Sequence, residues 1–257
     1  MSSKQLLLLD IFSYSCMNCL RSLEFIEKID SKYKQFGLET ILIHPPEWEF
    51  EKHKKNIIHA IKKYKIKFPV IIDKNKKVIK KLKINFWPTQ ILIRDGKILY
   101  KHIGEGKYKI LEGRIIKYLK INPKKFKKLF NKEPKYNKFP TVYCGKEKNG
   151  KIQKLSNKLK LGVIYVKGKF VQNNEFLKPI EDDSSLTILT KGKIINFVAK
   201  SFKKSIKAKI KLNNKFIKII LVHNPQLYEL IKLKKNKQQK LTIFMKKNLA
   251  IYSFSFR

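Results

Sequence analysis

Residues 6–33 constrain the chain most. An apolar run, LLLLDIF, is joined by SYSC to a stripe of Leu20, Leu23, Ile26 and Ile29 or Tyr33 at helical spacing. Cys16 and Cys19 lie at the join. A short continuous apolar run with one acid reads as a buried strand, and a 3.6-residue stripe reads as an amphipathic helix. The two cysteines therefore occupy a strand-to-helix turn. The first turn of a helix presents unpaired N–H groups and the positive end of its dipole, which favour a thiolate there. Cys19, one turn further in, is placed to displace a mixed disulfide formed at Cys16. C-x-x-C in a βαβ context reads as an exchanging dithiol. Structural zinc needs four ligands, and only Cys144 and scattered histidines remain. A static bridge two residues apart would close almost no loop. His53, His59, His102 and His223 read as surface or core residues rather than ligands.

The same alternation continues. Gly37 ends the helix and LETILI (38–43) is a second strand. HPPEWEFE follows as a loop in which two prolines forbid ladder bonding. Helical spacing over 50–65 points Ile57, Ile58, Ile61 and Tyr64 inward. FPVII (68–72) is a third strand, with a short helix around 76–82. NFWPTQILIRDGKILYKHI is a β-hairpin turning on Asp95-Gly96, and a last helix covers about 108–120. The order predicts a mixed sheet with helices on both faces. Residues 122–138, NPKKFKKLFNKEPKYNK, read as a Lys/Pro-rich linker. Beyond it, VIYVKGKFVQ, SLTIL, KIINFVAK, IKAKIKL, FIKIILV, KLTIFM and AIYSFSF alternate with turns such as KGK, LNNK and KKN. That pattern predicts an all-β sandwich. The organisation expected is a redox domain over 1–121, a linker over 122–138 and a β-sandwich over 139–257.

With 43% apolar residues in 257, both domains can fill cores. The net charge of +41 favours acidic partners. It does not point to nucleic acid, because the lysines are spread evenly and only Arg21, Arg94, Arg114 and Arg257 carry the forked guanidinium suited to phosphate and guanine. No run approaches the ~20 apolar residues of a membrane span. MSSKQLLLLDIF lacks a small-residue cleavage site, so a cytoplasmic location is the expectation.

Four segments resemble the thioredoxin superfamily, in particular the TlpA-like branch found as the C-terminal region of DipZ-type proteins. DIFSYSCMNCLRSLEF resembles its redox turn, HPPEWEFEK its loop after the second strand, NFWPTQILIRDGKI its cis-proline strand and hairpin, and HIGEGKYKILE the entry to its final helix. That family follows the redox domain with a β-sandwich resembling carbohydrate-binding or jelly-roll modules. PTVYCGK and the closing strands through AIYSFSF are loosely similar to it.

The resemblance implies a thiol:disulfide oxidoreductase acting on disulfide-containing proteins and recharged by an upstream electron donor. Its working group is the Cys16–Cys19 disulfide, and no other cofactor is required. Asp10, six residues before Cys16, is implied as the buried carboxylate that accepts the Cys19 proton. Trp87-Pro88 is implied as the cis peptide beside the thiols, pairing with an extended substrate segment. Tyr14, Met17 and Asn18 flank the thiols and are expected to set access. His44, Glu47 and Trp48 either line a substrate groove or shape a turn. Glu105 reads as helix entry. Cys144 is open to three readings: an inert thiol, a third redox thiol, or an intermolecular bridge. Two rival functions stand beside this one. A peroxidase-like thiol enzyme lacks its Pro/Thr pattern before Cys16. A binding protein would use the sandwich for a sugar or protein ligand, with EDDSS (181–185) as its acidic cluster.

Overall fold

The computed structural model describes residues 5–122, 127–133 and 139–257. The chain forms two compact units, Met1–Lys135 and Tyr136–Arg257.

The first unit is a mixed five-stranded sheet flanked by helices, in the order β3-β2-β1-β4-β5. β1 (Leu6–Ile11) runs parallel to β2 (Leu38–His44), and β2 parallel to β3 (Val70–Ile72). β4 (Thr89–Arg94) is antiparallel to β1 and forms a hairpin with β5 (Lys97–Ile103). Asp95 and Gly96 close that hairpin with φ of 49° and 73°, the left-handed pair that such a two-residue turn requires. β1 lies inside the sheet and is apolar on both faces. Leu9 and Ile11 pack with Ile43, Ile79, Ile84 and Ile91. α1 (Met17–Tyr33) buries Leu23, Ile26, Ile29 and Tyr33 of the expected stripe, leaves Leu20 half-buried, and also buries Cys19, Arg21 and Ser22.

Two elements differ from the sequence reading. α2 covers only Lys54–Lys63 and buries Ile57 and Ala60, while Ile58 is 41% exposed. Residues 49–52 form a separate 3-10 turn, and within α2 Ile58 lies about 100° round the helix from Ile57, off the stripe that Ile57 and Ala60 define. β3 begins at Val70 and is an edge strand, so Ile71 and Ile72 face solvent. α3 is Lys77–Lys81 and α4 is Tyr108–Tyr118.

The segment read as a linker requires correction. Residues 123–126 and 134–138 lie outside the described residues, but 127–133 is packed onto the first unit. Glu112, fully buried on α4, accepts the N–H groups of Leu129 (2.6 Å) and Phe130 (3.0 Å) and the Tyr33 hydroxyl (2.5 Å). Phe130 stacks near Phe25 and Tyr108, with ring centroids 5.8 and 6.1 Å away. Glu133 then accepts from the N–H groups of Tyr108 and Lys109, satisfying two orphan donors at the start of α4. A lysine-rich composition concealed one apolar anchor and one cap.

The second unit is all β. Among the described residues ten strands, β6 (Val142–Tyr143), β7 (Ile152–Lys154), β8 (Ile164–Lys167), β9 (Phe170–Gln172), β10 (Leu177–Pro179), β11 (Ser184–Ser201), β12 (Ile206–Leu212), β13 (Lys215–Val222), β14 (Gln226–Met245) and β15 (Leu249–Phe256), form one connected sheet. Its order is β13-β12-β14-β11-β15-β10-β9, with β6 on β15, β8 on β11 and β7 on β8. β11 (Ser184–Ser201) and β14 (Gln226–Met245) form its long axis. The first half of β11 lies between β14 and β8 (Ile164–Lys167), and its second half between β14 and β15 (Leu249–Phe256). The sheet thereby curls over one core, in which Leu186, Ile188 and Ile243 of one half join Phe197, Ile251 and Phe254 of the other.

The KGK at 191–193, read as a turn, is instead internal to β11. Register shifts at Gly192/Ile194 and Ile195/Asn196 make it a bulge that bends the strand. The KGK at 167–169 is a turn, with Gly168 at φ 95° between β8 and β9 (Phe170–Gln172). A second bulge places Tyr252 between Ser253↔Val198 and Ile251↔Ala199. It reverses the in–out phase, so that Leu249 and Ile251 share the core with Phe254 and Phe256.

Candidate active site

β1 delivers the backbone to the mouth of α1, where Ser13 to Cys16 makes a β-turn closed by Cys16 N–H to Ser13 carbonyl, 3.2 Å. Cys16 is the N-cap of α1. Its extended backbone (φ −83°, ψ 113°) leaves Sγ to accept the N–H of Cys19 at 3.3 Å. This is the position at which a side chain meets the orphan N–H groups of a helix. Cys16 is half-buried and Cys19 fully buried, and both are free thiols. Burial holds Cys19 well above the ordinary thiol range, reinforced by its hydrogen bond to Cys16 and by the charges of Cys16 and Asp10. The two sulfurs are therefore inequivalent: one reaches the surface, and the other keeps its proton.

Asp10 is fully buried on β1. Its Oδ1 accepts the Gln90 amide at 2.8 Å, and that amide also reaches Ser22 Oγ at 3.1 Å. Oδ2 has no hydrogen-bond partner among the described residues. Desolvation pushes the carboxyl up to about 7, against the lowering effect of Gln90. Asp10 thus changes charge near neutrality, and its charge is felt at Cys19.

Trp87-Pro88 is a cis peptide. Pro88 is buried, directly before β4, whose Thr89 and Gln90 pair with Ile11 and Asp10. The Trp87 indole donates to Glu47 at 3.2 Å, tying this strand to the loop after β2. Within that loop His44 and Trp48 are interior and Glu47 is half-buried, so it folds against the unit. Met17 and Asn18 are half-buried beside Cys16.

Tyr14 requires correction. It is 2% exposed and stacks on His44 with centroids 5.4 Å apart, so it supports the turn from inside rather than meeting a substrate. The turn peptide directs its ring into the space between β2 and the following loop, an environment that the flanking position in sequence does not reveal.

Two groups were missed by the sequence reading. Arg21 makes a two-pronged ion pair with Glu105, Nε to Oε1 at 2.7 Å and Nη2 to Oε2 at 2.6 Å, and also donates to Asn18. The guanidinium lies within electrostatic reach of Cys16. Glu105 thus does more than open a helix: it holds a cation on α1 across 84 residues of sequence. The second group is Glu51, fully buried, whose Oε1 accepts from the hydroxyls of Ser13 (2.8 Å) and Ser15 (2.6 Å). Only the i,i+3 spacing of Arg21 from Asn18 was visible locally, and nothing local marked Glu51.

In the second unit, Cys144 is fully buried in the core, and desolvation raises it far above the ordinary thiol range. The EDDSS cluster is occupied with turn hydrogen bonds. Glu181 accepts the Lys169 N–H and Asp182 the Lys247 N–H, each at 2.9 Å.

The family model described as Redoxin matches residues 2–115, and that described as Thioredoxin like C-terminal domain matches 141–256. Protein DipZ of Mycobacterium bovis is 31% identical over 109 residues, 42% of this chain and 16% of DipZ. Thiol-disulfide oxidoreductase ResA of Bacillus cereus is 35% identical over 103 residues, 40% of this chain and 57% of ResA. The match therefore spans less than two thirds of either relative. Among solved structures, StoA from Bacillus subtilis aligns with a TM-score of 0.38 at 18% identity, over 44% of this chain and 83% of StoA. No helix among the described residues is long and apolar enough to cross a membrane. The two matches together support a TlpA/DipZ-like protein of the thioredoxin superfamily, a redoxin unit followed by a thioredoxin-like C-terminal β domain.

Proposed function

We propose that the chain is a thiol:disulfide oxidoreductase that uses Cys16 and Cys19 to reduce or exchange disulfides in partner proteins. The observation that carries this reading is the inequivalence of the two sulfurs. Cys16 caps α1 and accepts the Cys19 N–H, while Cys19 is buried beside an acid that titrates near neutrality.

In the reducing direction the Cys16 thiolate attacks one sulfur of a target disulfide. The other sulfur leaves as a thiolate and takes a proton from solvent. Cys19 then passes its proton to the Asp10 carboxylate and attacks Cys16 Sγ. The Cys16–substrate bond breaks and the second substrate thiol is released. Two electrons have moved to the substrate, and the protein holds a Cys16–Cys19 disulfide. A dithiol donor restores it by the reverse exchange. Trp87 and Pro88 offer backbone for an extended substrate segment, and Met17 and Asn18 border the approach to Cys16.

Insulin reduction with dithiothreitol as donor tests this. Cys16→Ser is expected to abolish turnover above the uncatalysed rate, whereas Cys144→Ser retains it. Full activity of Cys16→Ser would overturn the proposal.

A further inference from the structure

The Ser13–Cys16 turn is held from behind by a single oxygen. Oε1 of Glu51 accepts both the Ser13 hydroxyl (2.8 Å) and the Ser15 hydroxyl (2.6 Å), the side chains at the first and third positions of the turn. Ser13 Oγ also accepts the Ser15 N–H at 3.3 Å, and the Ser13 carbonyl accepts the Cys16 N–H. Oε2 is held by the Glu47 N–H at 2.6 Å. The carboxylate is itself fixed, because Glu51 N–H donates to Trp48 and the Asn56 side chain bonds Phe50 across the same 3-10 turn. Ser13, Ser15 and Glu51 are all buried, where each unmade hydrogen bond is expensive.

We propose that Glu51 is a positioning residue for the thiol chemistry, clamping the turn through Ser13 and Ser15 so that Cys16 Sγ stays at the mouth of α1. The inference rests on the reading of Cys16 as the attacking thiol. Glu51 touches neither cysteine and acts through the turn alone. The titratable groups facing it are His44, whose Nε2 lies 3.9 Å from Oε2, and Glu47, whose N–H is bonded to Oε2. Burial holds His44 at about 4, so near neutral pH it is uncharged and leaves the carboxylate without a cation. Burial raises Glu51 itself to about 7, so the site keeps an acid that is costly to ionise where a neutral amide would carry no such cost. That cost is intelligible if its double acceptor serves the turn.

The test is the rate at which iodoacetamide labels Cys16 in the full-length reduced chain, followed by peptide mass spectrometry from pH 5 to 10. Glu51→Ala and the double variant Ser13→Ala/Ser15→Ala are expected to move the midpoint of the profile to higher pH, slowing labelling at pH 7 by about three- to tenfold. Glu51→Gln keeps an amide oxygen that both hydroxyls reach but loses the Glu47 N–H contact at the other position, so its profile is expected to lie nearer the parent's than that of Glu51→Ala. A purely structural role would lower thermal stability without moving the midpoint. An unmoved midpoint in the serine double variant overturns the proposal, and so does a Gln variant that behaves like Ala. The serine variant carries the test if Glu51→Ala does not fold. Failure of the underlying reading is distinguishable, because Cys16 would then be unreactive in the parent chain itself.

Discussion

Asp10 and Gln90 face each other across the β1–β4 ladder, and the Gln90 amide is the only side-chain hydrogen bond described for the Asp10 carboxyl, at 2.8 Å. One neighbouring strand thus tunes the acid to which the proposed mechanism assigns the Cys19 proton. Gln90 lowers a carboxyl that burial raises to about 7. Replacing Gln90 with Leu removes the lowering influence, so Asp10 is expected to accept a proton only at higher pH. The measurement is the pH dependence of mixed-disulfide resolution under single turnover. The acid limb of that profile should move upward in Gln90→Leu, and an unmoved limb would remove Asp10 from the proton path.

Asp10→Asn removes the acceptor while keeping the shape. Positioned bases contribute on the order of 10²-fold or more. Resolution by Cys19 is therefore expected to slow by about 10²-fold at pH 7, while the initial attack by Cys16 is little changed. Rapid-quench trapping separates the two steps. Equal slowing of both would make Asp10 structural.

Stability should depend on pH in a direction set by three buried groups. Asp10 and Glu51 are each raised to about 7 by burial, Glu51 with a contribution from Glu47. Each binds its proton more tightly folded than unfolded, so its contribution is complete below its unfolded pKa and is lost as pH rises towards 7. His44 is lowered to about 4 by burial, so its contribution is lost as pH falls from about 6.5 to about 4. Two acids oppose one histidine between pH 4.5 and 6.5, and stability is expected to fall with rising pH there. Asp10→Asn should remove a share on the order of 3 kcal/mol from the acid side of that slope. Urea titrations of the parent and the variant at pH 5 and 7.5 measure it. A variant with the parent's slope would show that Asp10 is not the titrating group.

How much of this was legible depends on range. The β1–α1 join, the Asp95-Gly96 hairpin and the all-β texture after 160 are local patterns of apolar spacing and turn residues, and they stand in the structure as read. Cys16, Cys19, Asp10 and Pro88 were singled out by one short turn and a resemblance. The clamp of Glu51 on Ser13 and Ser15 joins residues 38 and 36 apart, and polar residues carry no periodicity that reveals a partner. Tyr14 was expected to set access because it flanks the thiols, yet its ring is buried and stacks on His44, 30 residues away. KGK at 191–193 has turn composition, but pairing of Lys191 and Gly192 with the long strand β14 keeps it inside β11 as a bulge. Short-range chemistry set the local conformation, and long-range pairing decided which of those choices became turns.

The Arg21–Glu105 pair is almost dry, with side chains 6% and 9% exposed. Removing one partner of such a pair leaves the other charge uncompensated and costs about 3 kcal/mol or more. Glu105→Gln is therefore expected to lower stability by that order in chemical denaturation. A change below about 0.5 kcal/mol would mean that the pair is solvated.

Phe130 anchors the segment that follows α4 against Phe25 and Tyr108. Phe130→Ala is expected to cost about 3 kcal/mol and to expose nearby lysines to trypsin. Cleavage after Lys127 or Lys128 at the parent's rate would show that the segment is not held by this ring.

The central claim is that Cys16 attacks and Cys19 resolves. Incubating reduced Cys19→Ser with oxidised glutathione and mapping the adduct by mass spectrometry tests it most directly. The account predicts one lasting glutathione on Cys16, whereas the parent chain releases it and forms Cys16–Cys19. An adduct on Cys144 with Cys16 unmodified, or release from Cys19→Ser as fast as from the parent, would contradict it.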